Sequence, residues 1–163
     1  MIGFTEYPDR EAWLAGRGNT IGASEIASVL GCGFCTAQEL WALKVGESTG
    51  KDLSESPRVK YGSEAEQHLR ALFALQFAGK YEVEYHPFRV YVNDEYPYLS
   101  CTLDGELANK ANGEMGVWEC KTAFVARKED MNAWGADTIP NKYYAQVQQQ
   151  LAVTQRNFAV LTA

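Results

Sequence analysis

Asp104, Glu119 and Lys121 are the residues whose types and spacing could do chemistry. They lie in the stretch from Tyr98 to Lys121, YLSCTLDGELANKANGEMGVWECK, as an aspartate followed after 14 residues by Glu-x-Lys. Successive strand side chains point to opposite faces, so Glu119 and Lys121 share one face while Trp118 and Cys120 take the other. Carboxylates from two neighbouring segments suit a hard divalent cation, and a lysine beside them can orient water or offset charge on a phosphate. The chemistry that fits is phosphodiester hydrolysis. Surface charges on an exposed sheet would produce the same spacing.

The elements around this stretch must position it. Tyr98–Leu103 and Gly116–Cys120 read as two arms of a hairpin across a turn at Asn109–Gly113. Ahead of it, Asp9–Ala15 suits a short helix anchored by Trp13 and Leu14, and Ile21–Leu30 a second helix that ends at Gly31. There Thr20 or Ser24 serves as a cap, with Arg17 as a surface charge, or else the small residues and the arginine clasp an anion. Thr36 and Glu39 form a capping box for a helix closed by Gly46, with Leu40, Trp41 and Leu43 as its core residues. Residues 47–60 read as a loop, with Lys51, Arg58 and Lys60 available to phosphates.

From Tyr61 a strong helix carries Leu69, Leu72, Phe73 and Phe77 at helical spacing, and Ser63 with Glu66 matches a capping box. Tyr81–Asn93 alternates as a strand or a bent pair of strands. Thr122–Asp137, with Arg127, Lys128 and Trp134, reads as partly helical. After Pro140 a helix spans about Asn141–Thr154, with Tyr143, Gln146 and Gln150 on one face and Val147, Leu151 and Tyr144 on the buried side. On spacing alone, its glutamines form a solvent-facing stripe or hold a water or phosphate oxygen. The tail from Asn157 reads as a strand.

Composition narrows the classes. The 163 residues, 46% hydrophobic, suit a single domain with a real core. No apolar run is long enough to cross a bilayer and no leader pattern opens the chain, so a cytoplasmic protein is expected. A net charge of −6 argues against a uniformly basic nucleic-acid surface, while leaving room for a local basic channel. Cys32 and Cys35 form one C-x-x-C pair without a second, which points to free thiols; Cys101 and Cys120 fit as small apolar residues. His68 and His86 have no partner at metal-ligand spacing, which disfavours a zinc site.

Asp104 with Glu119-Cys120-Lys121 resembles the catalytic signature of the PD-(D/E)XK nuclease superfamily. WLAGRGNTIGASEIASVLG, TAQELWALKVG, YGSEAEQHLRALF and P-x-x-Y-x-x-Q-V-Q-x-x-L-x-V-T are similar, in order, to motifs of phage lambda-type exonucleases and the YqaJ-like viral recombinase family. The resemblance implies an α/β fold, a central mixed sheet flanked by helices with a restriction-endonuclease-like core. It implies Mg²⁺ or Mn²⁺ held by Asp104, Glu119 and Glu66, with Glu64 as the competitor of Glu66, and Lys121 and Gln146 completing the catalytic set. Arg17 and Ser24 match the residues that hold a terminal 5′-phosphate, and Thr102 and Tyr143 join them as DNA contacts.

The implied activity is 5′-to-3′ exonucleolysis of linear double-stranded DNA ends, feeding a phage single-strand annealing protein in the host cytoplasm, by a ring-shaped homotrimer. The chain ends sooner than family members do, which bears on oligomer contacts. Three rivals stand beside this reading. They are a structure-selective endonuclease with the same core, a non-catalytic DNA-binding or inhibitory protein that keeps the fold, and an iron–sulfur nuclease of the Cas4 type, which the missing C-terminal cysteine cluster disfavours.

Overall fold

The computed structural model describes every residue except 51, 52, 54, 124, 126, 127, 136 and 137, and only the backbone at 128–130. The expected contributions of Lys51, Arg127 and the Lys128 side chain therefore lie outside the described residues. The fold is α/β with mixed sheets flanked by helices, as expected, but the strands divide into two four-stranded sheets.

The first sheet has the order β1 (Ile2–Glu6), β4 (Arg89–Asn93), β5 (Leu99–Cys101), β2 (Ile21–Gly22), with β2 parallel to β5 and the other pairs antiparallel. The second has the order β3 (Tyr81–Glu84), β6 (Gly105–Asn109), β7 (Met115–Cys120), β8 (Phe158–Thr162), with β8 parallel to β7. The predicted bent pair over Tyr81–Asn93 is thus β3 and β4, one in each sheet. Phe88 turns the chain between them at φ 62°.

The hairpin differs from its expected form. Its first arm is Gly105–Asn109, after Asp104, whereas Leu99–Cys101 pairs with Tyr91 and Val92 in the other sheet. Gly113, at φ 74°, closes the turn. Asp104 therefore stands where the chain passes from one sheet to the other. The alternation expected along β7 holds. Val117 joins a core with Ala23, Tyr91, Cys101, Leu103 and Val153 from α6 (Asn141–Thr154), while Trp118 and Cys120 join Phe73, Tyr81 and Leu107 beneath α4 (Pro57–Gln76).

Several helices form for the reasons read from sequence. Asp9 caps α1 (Arg10–Gly16) by accepting from the Ala12 N–H at 2.9 Å. Thr36 and Glu39 make a complete capping box on α3 (Ala37–Lys44), and Gly46 follows at φ 78°. In α6 the predicted limits hold, with Pro140 before it and Gln155 left-handed after it.

Tertiary pairing overrides other expectations. Ile21 and Gly22 are a strand because β5 takes their backbone groups; a turn follows, and α2 covers only Ile26–Val29. Helix α4 starts inside the expected loop, at Pro57, where a missing N–H costs nothing. Ser63 and Glu66 are consequently mid-helix and form no capping box. Leu14, Trp41, Leu43, Leu72 and Tyr144 are exposed rather than core, since each element buries a narrower face than its apolar content suggested. Strand β1 and the short helix α5 (Lys128–Ala133) complete the fold, the first without an expectation from sequence.

Candidate functional site at the seam of the two sheets

Three segments converge where Asp104 crosses between sheets. Asp104 Oδ2 accepts from the Cys120 N–H at 2.9 Å, which fixes the aspartate against the end of β7. Glu119, 1% exposed, points to the α6 side of that strand. Its Oε1 accepts from Lys121 Nζ and from Gln146 Nε2, each at 2.5 Å, and its Oε2 accepts from Gln150 Nε2 at 2.6 Å. Gln150 also donates to the Thr102 carbonyl at 3.1 Å.

Glu66 borders this cluster from α4. It pairs with Arg70 at 2.5 Å, and Arg70 donates to the Asp104 carbonyl at 2.6 Å and lies 3.5 Å from the centre of the Tyr85 ring. Glu64, the competing candidate, is exposed.

The electrostatics are those of acids short of positive charge. Burial pushes Glu119 up to about 7, the Asp104 charge adds to the rise, and Lys121 opposes it. Burial likewise raises Asp104, against the Cys120 N–H and the charges of Lys121 and Arg70. Burial and then Asp104 raise Glu66, with Arg70 and Lys121 opposing. Burial works against the Lys121 ammonium, but Glu119 and Asp104 outweigh it and hold its pKa above the ordinary lysine value. These two carboxylates thus favour the ammonium form of Lys121.

This donor set fits a hard divalent cation. It offers carboxylate oxygens, and a positive charge would relieve the rise that burial and mutual repulsion impose on them. Among the described residues no three His, Cys, Asp or Glu side chains are gathered as a finished cage. Glu66 is turned to Arg70.

Arg17 and Ser24 belong to a second cluster beside the first sheet. The Arg17 guanidinium lies 4.4 Å from the Trp13 ring centre, and a Cβ on Gly22 would come within 2.9 Å of its Nη2. Burial lowers the Arg17 pKa, partly offset by Glu25. Glu25 itself accepts from the Gly22 N–H at 2.7 Å and pairs with Lys44 at 2.8 Å. Ser24 is exposed in the turn beside it. Neither Ser24 nor Thr20 caps α2; Thr20 shares a hydrogen bond with Ser100 at 2.7 Å.

Tyr143 lies 5.4 Å from Lys121 Nζ, measured to its ring centre, and packs tilted against the Trp134 ring, 5.3 Å between centres. These rings line a cleft of about 940 Å³ with Phe34, Tyr61, Arg58 and Lys142.

Sequence reasoning missed Gln149 and the bonding of Gln150. Their polarity suggested solvent, but both are buried. Gln149 donates to the Ile21 and Ser100 carbonyls at 2.8 Å each. The available signal was four glutamines in five positions on a helix that must pack against two sheets. The four cysteines are free, with Cys101 and Cys120 buried as expected. His86 lies 3.3 Å from Glu84 and 3.7 Å from Glu106. Among the described residues no helix is long and apolar enough to cross a membrane.

No curated protein sequence matches the chain. A crystal structure of LHK-Exo in complex with dAMP resembles it with a TM-score of 0.65 at 20% identity, covering 94% of this chain and 74% of that one, which shows a shared fold. The model of the YqaJ-like viral recombinase domain matches residues 12–157, and with this match over most of its length the chain belongs to the YqaJ-like viral recombinase family.

Proposed function

We propose that the protein is a metal-dependent nuclease that degrades linear double-stranded DNA from its 5′ ends. The observation that carries this reading is the convergence of Asp104, Glu119 and Lys121, with Gln146, at the seam between the sheets. Family membership and the fold shared with a phage-type exonuclease support a nuclease.

Asp104 and Glu119 would hold Mg²⁺ or Mn²⁺, joined by Glu66 once it turns from Arg70. A hard cation, when bound, polarises the scissile phosphate and acidifies water. Lys121, kept protonated by its neighbours, orients the attacking oxygen and offsets charge that grows on the phosphate. Gln146 fixes the Glu119 carboxylate without adding charge. Arg17 takes a terminal 5′-phosphate in the turn beside Gly22, with Ser24 as hydroxyl donor, and this end recognition makes the activity exonucleolytic. Thr102 and the cleft at Tyr143 flank the DNA path. Contacts of this kind carry little sequence information, so cleavage is tolerant of sequence. The same reading extends to a homotrimer, to a phage single-strand annealing protein as partner, and to action in the host cytoplasm.

The test is digestion of end-labelled linear duplex and closed circular duplex, with Mg²⁺ or EDTA, by wild type and Lys121→Ala. Mononucleotides released from 5′-phosphorylated linear ends only with Mg²⁺, and lost in the variant, are the expected result. Equal cutting of circles would replace the exonuclease with an endonuclease. Binding without cleavage would replace it with a non-catalytic DNA-binding protein. Light scattering on the same preparation tests the trimer.

A further inference from the structure

We propose that Gln150 is a positioning residue that sets the separation of the two carboxylates expected to hold the cation; this rests on the metal-dependent reading above. Gln150 is 0% exposed. Its single amide nitrogen spends one hydrogen on Glu119 Oε2 at 2.6 Å and the other on the Thr102 carbonyl at 3.1 Å. Thr102 precedes Asp104 by two residues, so one side chain ties β7 to the backbone that delivers the other acid.

Gln146, one helical turn earlier, takes Oε1 of the same glutamate. Two amides at i and i+4 thus grip both oxygens of Glu119 and stop the carboxylate from rotating. They do so with neutral donors, which leave the negative charge that a cation requires. An arginine in place of either amide would neutralise it.

The cost of the arrangement supports a positioning role. Gln150 Oε1 is buried with no hydrogen-bond partner among the described residues. A buried amide half unpaired is a poor space filler, and an apolar side chain of similar volume would avoid that penalty. Gln149 supplies a matched control. It is also buried with its Oε1 unpartnered, and it also donates twice, but both of its acceptors are backbone carbonyls and neither is Glu119.

The experiment is calorimetric titration of Mn²⁺ into the full chain for wild type, Gln150→Met and Gln149→Met, with thermal melts of each. Loss of an outer contact to a metal ligand weakens metal binding by about 10–100-fold, so Gln150→Met should bind Mn²⁺ at least about tenfold more weakly. Gln149→Met should bind like wild type, and the melts show that each variant is folded at the titration temperature. If Gln150→Met fails to fold, Gln150→Asn, which keeps the amide but is too short to bridge both acceptors, replaces it with the same expectation. Unchanged affinity in the Gln150 variant, or an equal loss in Gln149→Met, would overturn the positioning role while leaving the nuclease reading intact. A wild type that binds no Mn²⁺ would overturn both.

Discussion

Glu106 and Glu119 are buried carboxylates on adjacent strands of one hairpin, and their surroundings could hardly differ more. Glu106, on β6, accepts from Arg89 at 3.1 Å and also from Tyr91 and Arg156. Although burial raises its pKa, these donors and charges outweigh it and hold Glu106 below the ordinary range. Glu119 has one lysine and two neutral amides, and burial leaves it at about 7. The first carboxylate is saturated and joins the two sheets, since Arg89 and Tyr91 come from β4. The second is gripped but undercompensated. A structural acid is surrounded by enough positive charge to settle it, whereas an acid awaiting a ligand is held in place and left wanting charge.

The largest test of this contrast removes a charge from each cluster. Lys121→Ala should lower the cleavage rate by about 10²-fold or more with little change in melting temperature, as expected for a group that stabilises developing charge. Glu106→Gln should do the reverse. It leaves Arg89 and Arg156 beside an uncharged partner and should cost about 3 kcal/mol in urea denaturation, with cleavage per folded molecule retained. If Glu106→Gln proved silent in denaturation, the contrast would collapse.

The two acids should also impose opposite pH slopes on metal-free stability. Glu119 has a folded pKa of about 7 against an ordinary 4.5, so its contribution is fully present below 4.5 and is lost as pH rises toward 7. Glu106 is held low, so its contribution is present at neutral pH and is lost as pH falls below the ordinary value. In EDTA the urea midpoint should therefore peak at about pH 5, and Glu119→Gln should flatten the decline toward neutral pH. Midpoints that rise steadily from pH 5 to 8 in wild type would contradict the assignment. The smallest effect concerns Arg156, which reaches both Glu106 and the Gly116 carbonyl, the latter at 2.7 Å. Arg156→Lys keeps the charge but loses the fork, and should cost about 1 kcal/mol in the same denaturation experiment.

What was legible in the sequence follows from this division. Asp104, Glu119 and Lys121 could be read because strand alternation and a short turn fix their relation locally. The α6 limits and the α3 capping box were legible for the same reason. Glu106 was invisible as a strut, because its partners Arg89 and Arg156 lie far away in sequence and on different elements. Gln150 read as a solvent-facing residue because amphipathic spacing cannot tell water from a buried carboxylate. Ile21 and Gly22 looked helical by local propensity and became a strand through pairing with β5, a contact across about 80 positions that no local pattern encodes. The Ser63–Glu66 spacing matched a cap that a helix starting at Pro57 does not use.

The order of β7 before α6 along the chain sets when the site can exist. Until residues 141–154 have been synthesised and docked, Glu119 lacks Gln146 and Gln150, and β7 lacks β8 at its edge. A ribosome-bound chain that has exposed Asp104, Glu119 and Lys121 carries the acids and the lysine without the helix that grips them. Any hydrolytic capacity would then be withheld until α6 docks and would appear only with those long-range contacts. For a protein that would attack DNA, that order of assembly keeps incomplete chains harmless.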